Sequence, residues 1–294
     1  MSVEETFLFD EVRCGFVVPT AIKQAWAAEL EVLMEIDRVC RLHDIPYYAD
    51  WGTLLGAVRH GGFVPWDDDL DVCMSRTEYD RFVALWSENH HPGYILQNKG
   101  NTPAFSQSFT KLRKDHTTFL QDIEEANAYH TGIFIDIFPI DRIPSGKVSR
   151  CIFKWNCMKY QLLTREHTPS RSRAPIRFAC SLILRFTPKQ QRAAARQKLL
   201  KAITQYDSVR TFDTIAIEVM STINCPLAAD MLSNYTYLLF EDAEFMCFAG
   251  WDEYLRRKYG DYMKLPPEKD RIWKHHPLLI DFEHNYEELN SNEF

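Results

Sequence analysis

The stretch "WGTLLGAVRHGGFVPWDDDLDV", residues 51–72, limits what this chain can fold into more than any other. Asp67, Asp68, Asp69 and Asp71 fall within five positions, and apolar residues follow at once. "LDVCM" reads as a buried strand. On a strand, residues i and i+2 face the same way, so Asp69 and Asp71 converge. Two carboxylates a few ångströms apart repel and raise each other's pKa. A divalent cation removes that penalty. Mg²⁺ suits the site, because it takes one or two protein carboxylates and completes its shell with water and phosphate oxygens. Two plainer readings stand beside this one: a solvated acidic turn, and helix capping by Asp67 or Asp68. The run lies at a strand entrance, between Pro65-Trp66 and Leu70-Val72, which weakens both. So does Asp136, an acid inside the apolar strand "GIFIDIFPI", where an unpaired carboxylate is costly.

Gly52 and Thr53 stand where one strand, "IPYYADWG", gives way to a short helix, "LLGAVRH", with Thr53 as its cap and Gly61-Gly62 as its end. Backbone N–H groups at a helix N-terminus favour a phosphate. A Gly-Thr turn alone is a weak signal. Followed about 16 residues later by D-x-D, with a third Asp on a later strand, it has the layout of a metal-dependent nucleotidyltransferase site.

Around this motif the pattern is mixed. Ile22, Trp26, Leu30, Leu33, Ile36 and Cys40 recur at helical spacing and predict an amphipathic helix over about 20–43. "SRTEYDRFVALWSEN" reads as a helix with Ser75 and Glu78 as a capping box. Strands are expected at "GYILQN", "FSQSFTKLRK" and "GIFIDIFPI". Beyond about 145 the periodicity turns helical, and the tail holds one more helix near 250–259. Strands first and helices after argue α+β. The expected divisions are a catalytic core at 1–145, a helical basic elaboration at 146–245, and a C-terminal segment at 246–294 that packs back on the core.

Other residues carry two readings each. Lys111 and Arg113 share a strand face and would neutralise a diphosphate, or form a solvated basic edge. His60 is a ligand or general base, or a cationic C-cap, and the cap is favoured. His275 and His276 point apart on an extended segment, which favours ordinary roles over joint chelation, with one of them facing the active site as the alternative. Eight scattered cysteines with no C-x-x-C read as reduced core thiols of a cytosolic protein. No secretory signal is evident in "MSVEETFLFDEV", and no apolar run nears the roughly 20 residues of a membrane span. A formal net charge of −7 argues against nucleic acid as a partner.

The sequence resembles the LicD family. "GTLLGAVRHGGFVPWDDDLDV" is very close to that family's signature, "GIFIDIFPIDRIP" to its second block and "YGDYMKLPPEKDR" to its third. The resemblance implies a DNA polymerase β-like nucleotidyltransferase core with a mixed sheet and a largely helical elaboration. It implies transfer of a phosphoalcohol group, typically phosphocholine from CDP-choline, to a surface glycan such as lipopolysaccharide or teichoic acid or to its precursor, with CMP released. By motif match, Asp69, Asp71 and Asp136 are the metal ligands and catalytic carboxylates, with Mg²⁺ the expected ion and Mn²⁺ an alternative. Gly52 and Thr53 correspond to the phosphate-contacting turn. Two other readings remain open: attack on the α-phosphorus of a nucleoside triphosphate with release of pyrophosphate, and a non-catalytic module that binds nucleotide or glycan.

Charge is unevenly spread. Between Lys147 and Lys201 there are fourteen Lys and Arg against one acid, Glu166, a net of +13 that leaves −20 for the rest. The apolar stretch "APIRFACSLILRFTP" lies within it, too short to span a bilayer and suited to lie on one. A protein at the cytoplasmic face, touching anionic membrane through 147–201, is the expectation. A basic face paired with the acidic core, or a site for an anionic glycan, is the plainer one.

Overall fold

The computed structural model describes residues 5–169, 173–208, 214–217 and 226–291. A hairpin of β1 (Glu11–Arg13) and β2 (Phe16–Val18) leads into α1 (Thr20–Leu42). Asp10 fixes the start of α1: its Oδ1 accepts from the Thr20 N–H at 2.6 Å and from Thr20 Oγ1 at 2.8 Å. The inward face of α1 is the expected one, with Ile22, Trp26, Leu30, Leu33, Ile36 and Cys40 all buried.

The chain then lays down β3 (Tyr48–Ala49), α2 (Trp51–His60), β4 (Leu70–Ser75) and α3 (Arg76–Asn89). Ser75 Oγ accepts from the Glu78 N–H at 3.4 Å, so the anticipated N-cap of α3 forms. β5 (Tyr94–Gln97), β6 (Thr110–Lys114), β7 (Thr118–Leu120), α4 (Ile123–Ala126) and β8 (Phe134–Arg142) follow. The strand expected over "FSQSFTKLRK" is confined to its second half, residues 105–109 being irregular with a bend at 108–109.

β8 is the hinge of a seven-stranded mixed sheet. It pairs in parallel with β4 from Ile135 to Ile140, and antiparallel with β6 on its other side. Nearly every β8 residue is buried, as expected of a strand covered on both faces. Leu70, Val72, Leu112, Ile135 and Ile137 meet the α1 stripe in the main core.

Past β8 come α5 (Lys147–Arg165), α6 (Ala174–Phe186) and α7 (Lys189–Thr204). The elaboration expected to be helical over 146–245 carries strands as well. β9 (Thr214–Ile217) returns to the sheet edge of β8, β10 (Leu227–Ala228) pairs with it, and β11 (Tyr235–Phe240) and β12 (Ala243–Phe248) form a hairpin. The hairpin was concealed by its aromatic content; its turn carries Glu241 in the left-handed region, φ 54°. α8 (Trp251–Tyr259) is the anticipated late helix, and β13 (Leu279–Asp281) pairs with β7.

The thiols are only partly a core set. Cys40, Cys73, Cys157 and Cys247 are buried, whereas Cys14 sits exposed in the β1–β2 turn and Cys151 faces outward on α5. Cys225 and Arg171 lie outside the described residues. Among the described residues, no helix is long and apolar enough to cross a membrane.

Candidate active site

The parallel pairing of β4 and β8 sets Asp71 directly against Asp136. The antiparallel pairing of β8 and β6 sets Lys111 against Asp136 from the other side. Three chemically charged residues therefore sit in one row across three adjacent strands, at a height fixed by backbone register. Lys111 Nζ donates to Asp136 Oδ1 at 2.6 Å and lies over the Phe134 ring, 3.3 Å from its centroid. Burial pulls the Lys111 pKa below its usual range, against the pull of Asp136.

Asp69 stands two residues before Asp71, at the mouth of β4, and adds to the same field. Burial raises the Asp71 pKa well above its ordinary value, and the charges of Asp69 and Asp136 raise it further. Burial also raises Asp69, with Asp136 adding to it while His275 opposes. Burial and Asp69 push Asp67 up to about 7, against the pull of Lys274. Glu29, buried on α1, is raised by burial and then by Asp69, Asp68, Asp67 and Asp136. Like charge of this density is stable only when protonated or paired with a cation. Among the described residues no hydrogen-bond donor reaches the Asp71 carboxylate. Hard oxygen donors such as those of Asp71 fit a divalent cation of the Mg²⁺ type.

Gly52 and Thr53 reach this cluster in a way the sequence did not foretell. α2 begins at Trp51, which takes φ 41°, and Thr53 does not cap it. Thr53 Oγ1 instead accepts from the Asp71 N–H at 2.7 Å, so the hydroxyl anchors the strand that carries the carboxylate. Gly52 lies against Asp67, and a Cβ there would collide with Asp67 Oδ2. Gly61 does end α2, with φ 67°. His60 is not a cationic cap: burial and Arg59 bring its pKa down to about 4, and its Nε2 accepts from Arg59 Nε at 2.9 Å.

Arg113 is turned away from its expected role. Its Nε donates to Gln97 Oε1 at 2.6 Å and its Nη1 to the Gly132 carbonyl at 2.7 Å. Lys111 is the member of the pair that meets the acids.

The C-terminal segment brings cations to this cluster, and His275 takes the less favoured of its two readings by facing the acids. The His275 N–H donates to Asp68 Oδ2 at 3.1 Å, and His275 Nδ1 lies 3.1 Å from Asp68 Oδ1 and 3.8 Å from Asp69 Oδ2. Burial lowers the His275 pKa, but Asp68 and Asp69 override it and raise it, favouring the imidazolium. Asp68, Asp69 and His275 offer ligand atoms within 4.8 Å of one another. Lys274 Nζ stands 3.4 Å from Asp67 Oδ1. A cavity of about 880 Å³ opens beside them, bounded by Gly52, Arg59, Trp66, Tyr259, Arg271 and Lys274. On its flank Lys258 lies over the Trp51 ring, 3.0 Å from the centroid, and 3.6 Å from Asp50 Oδ1, which Tyr254 also bonds. Arg271 belongs to the family-like block "YGDYMKLPPEKDR", whereas nothing in the sequence gave Lys258 or Lys274 a role.

Residues 44–167 match the family described as LicD/FKTN/FKRP, nucleotidyltransferase domain. The chain is 29% identical over 253 residues to the lipopolysaccharide cholinephosphotransferase LicD of Haemophilus influenzae, covering 82% of this chain and 91% of that protein. It is 43% identical over 66 residues to an uncharacterized protein of Rickettsia prowazekii, a match covering 22% of this chain and 25% of that one. A similar protein of Rickettsia typhi is 31% identical over 68 residues, 23% of this chain and 22% of that one. The span that matches the LicD/FKTN/FKRP nucleotidyltransferase domain, residues 44–167, carries both the Asp69–Asp71 strand and Asp136.

Proposed function

We propose that the protein is a metal-dependent phosphotransferase that moves phosphocholine from CDP-choline to a cell-surface glycan, or its lipid-linked precursor, and releases CMP. The observation that carries this reading is the register of Asp71 against Asp136 on parallel strands, with Asp69 at the mouth. The named activity of the Haemophilus relative supplies the substrate class. The sheet is then the core of a DNA polymerase β-like nucleotidyltransferase, and 1–145 the catalytic part.

Asp69, Asp71 and Asp136 would hold Mg²⁺, and their oxygens would accept Mn²⁺ as well. When bound, the ion neutralises charge on the diphosphate and activates it toward displacement. The chain's own groups do the rest. Lys111 holds Asp136 in place, and Lys274 and His275 carry positive charge at the same mouth. The first turn of α2, with Gly52, and the cations Arg59 and Arg271 line the cavity that takes the diphosphate. The glycan hydroxyl oxygen bonds to the choline-side phosphorus as the bond to the bridging oxygen breaks. CMP leaves with that electron pair. The hydroxyl proton passes to a carboxylate oxygen, which we assign to Asp136.

The test is CMP release by the full chain from CDP-choline with a glycan acceptor. Turnover should vanish on chelation and return with Mg²⁺. A screen of CDP-ethanolamine, CDP-glycerol and CDP-ribitol would sharpen the donor. Pyrophosphate released from a nucleoside triphosphate, with no CMP from any CDP-alcohol, would assign nucleotidyl transfer instead. Binding without turnover of either would assign a recognition module.

A further inference from the structure

No side chain of α6 is fully buried; Cys180, Ile183 and Leu184 are half-buried and the rest are exposed. A thirteen-residue helix usually owes its stability to packing of an apolar face, and this one leaves most of that face in the open. Phe178, Leu182 and Phe186 recur every four residues and form one stripe, exposed to 70%, 43% and 75%. Arg173, Arg177 and Arg185, spaced in fours and eights, form the neighbouring stripe and are exposed too. On α5, Ile152, Trp155 and Met158 are likewise exposed. Between α5, α6 and α7 runs an apolar groove of about 560 Å³, lined by Leu163, Leu182, Ile183, Phe186 and Leu199 with Lys159 and Lys198.

We propose that α5–α7 form a membrane-binding face, with α6 lying in the headgroup region of a bilayer rich in anionic phospholipid. Charge complementarity selects this occupant. The segment 147–201 carries +13 while the rest of the chain carries −20, so an anionic surface attracts one side of the molecule and repels the other. An apolar stripe flanked by arginines is the pattern of a helix that lies in the interface plane. At ~1.5 Å per residue α6 is roughly 20 Å long, short of the ~30 Å hydrocarbon core, so it lies on the bilayer and does not cross it. The groove gives an acyl chain a place beside the helix, with lysines near its phosphate.

Vesicle co-sedimentation of the full chain tests this, comparing neutral phosphatidylcholine with mixtures containing phosphatidylserine. Pelleting is expected on the anionic vesicles at low salt and release as salt rises. Replacing Arg173, Arg177 and Arg185 together with Gln should weaken binding roughly 100-fold, about five-fold each, the equivalent of ~1 kcal/mol per charge. The pair Phe178→Ser and Phe186→Ser should weaken it at unchanged thermal stability. No pelleting at low salt, or equal pelleting on neutral and anionic vesicles, overturns the proposal. So does a concentration-dependent dimer that the Phe pair abolishes, in a protein that ignores vesicles. None of these readouts involves CMP, so this proposal and the proposed reaction fail separately.

Discussion

The mouth of the β4–β8 pair and the α5–α7 segment both concentrate like charge, and they handle it in opposite ways. At the mouth, Asp67, Asp68, Asp71 and Asp136 are buried, and Lys274, His275 and Lys111 meet Asp67, Asp68 and Asp136 in turn. In α5–α7, Arg173, Arg177, Arg185 and Lys189 stand in solvent, while Arg192 and Arg196 reach an acid, Glu166. Buried charge repels across a poorly screening interior, so each group needs a partner in contact. Exposed charge is screened within about 10 Å and tolerates crowding, so its use is attraction of a surface. The first arrangement suits chemistry at one point, the second adhesion over an area.

The largest break in that contrast is Asp71→Asn. CMP release should fall at least ~10³-fold, within the range for losing a positioned catalytic group. In metal-free buffer the same variant should melt higher than the parent, because one of several buried like charges is gone. Unchanged turnover would remove Asp71 from the site. Arg76→Met probes a buried pair with no role in the chemistry. Arg76 donates to Asp141 from Nε at 2.7 Å and from Nη2 at 2.9 Å. Its loss strands Asp141 and should cost about 3–5 kcal/mol in denaturant melts, while Arg76→Met with Asp141→Leu should recover most of that.

Asp136 and Asp141 share β8, and their different fates show what the sequence could and could not reveal. Apolar alternation and the D-x-D spacing made β4, β8 and the acidic row legible, because strand period and burial are local properties. The α1 stripe and the end of α2 at Gly61 were legible for the same reason. The partners of the acids were not. Lys111 is 25 residues from Asp136, and His275 is 207 from Asp68, so only the fold brings them together. Thr53 was read as a cap because a hydroxyl before a helix usually is one. Its real partner, the Asp71 N–H, lies 18 residues on. The β11–β12 hairpin was missed because its aromatic residues carry no clean alternation.

The acidic mouth should also make stability depend on pH and metal. Asp67, Asp69 and Asp71 have pKa values raised on folding, Asp67 to about 7. The folded state then binds more protons, and that stability is complete below the unfolded pKa near 4 and is lost as pH rises through 7. Without divalent metal, Tm should drop by roughly 5–10 °C between pH 5 and pH 8. Mg²⁺ should restore it at pH 8 and do little at pH 5. A Tm that rises with pH in metal-free buffer would contradict the repulsive mouth. The basic segment, being solvated, should contribute nothing to this slope. Thr53→Val is a smaller probe of the same region: it leaves the buried Asp71 N–H without an acceptor and should cost ~1–3 kcal/mol, with Thr53→Ser close to the parent.

The smallest effect falls on the other side of the comparison. Phe178→Ser and Leu182→Ser remove large apolar side chains, a change that costs ~2–5 kcal/mol in a core. On α6 neither side chain is buried, so the expected change in unfolding free energy is within about ±0.5 kcal/mol. CMP release from soluble substrates should be untouched as well, because α6 contributes no residue to the cavity beside Asp67. Denaturant melts and a soluble-substrate assay on the same preparations check both halves. A loss above ~2 kcal/mol would mean that this face packs against the protein's own residues. The stripe would then be core, and the division between a mouth that holds its charge inward and a segment that turns its charge and its apolar surface outward would fail.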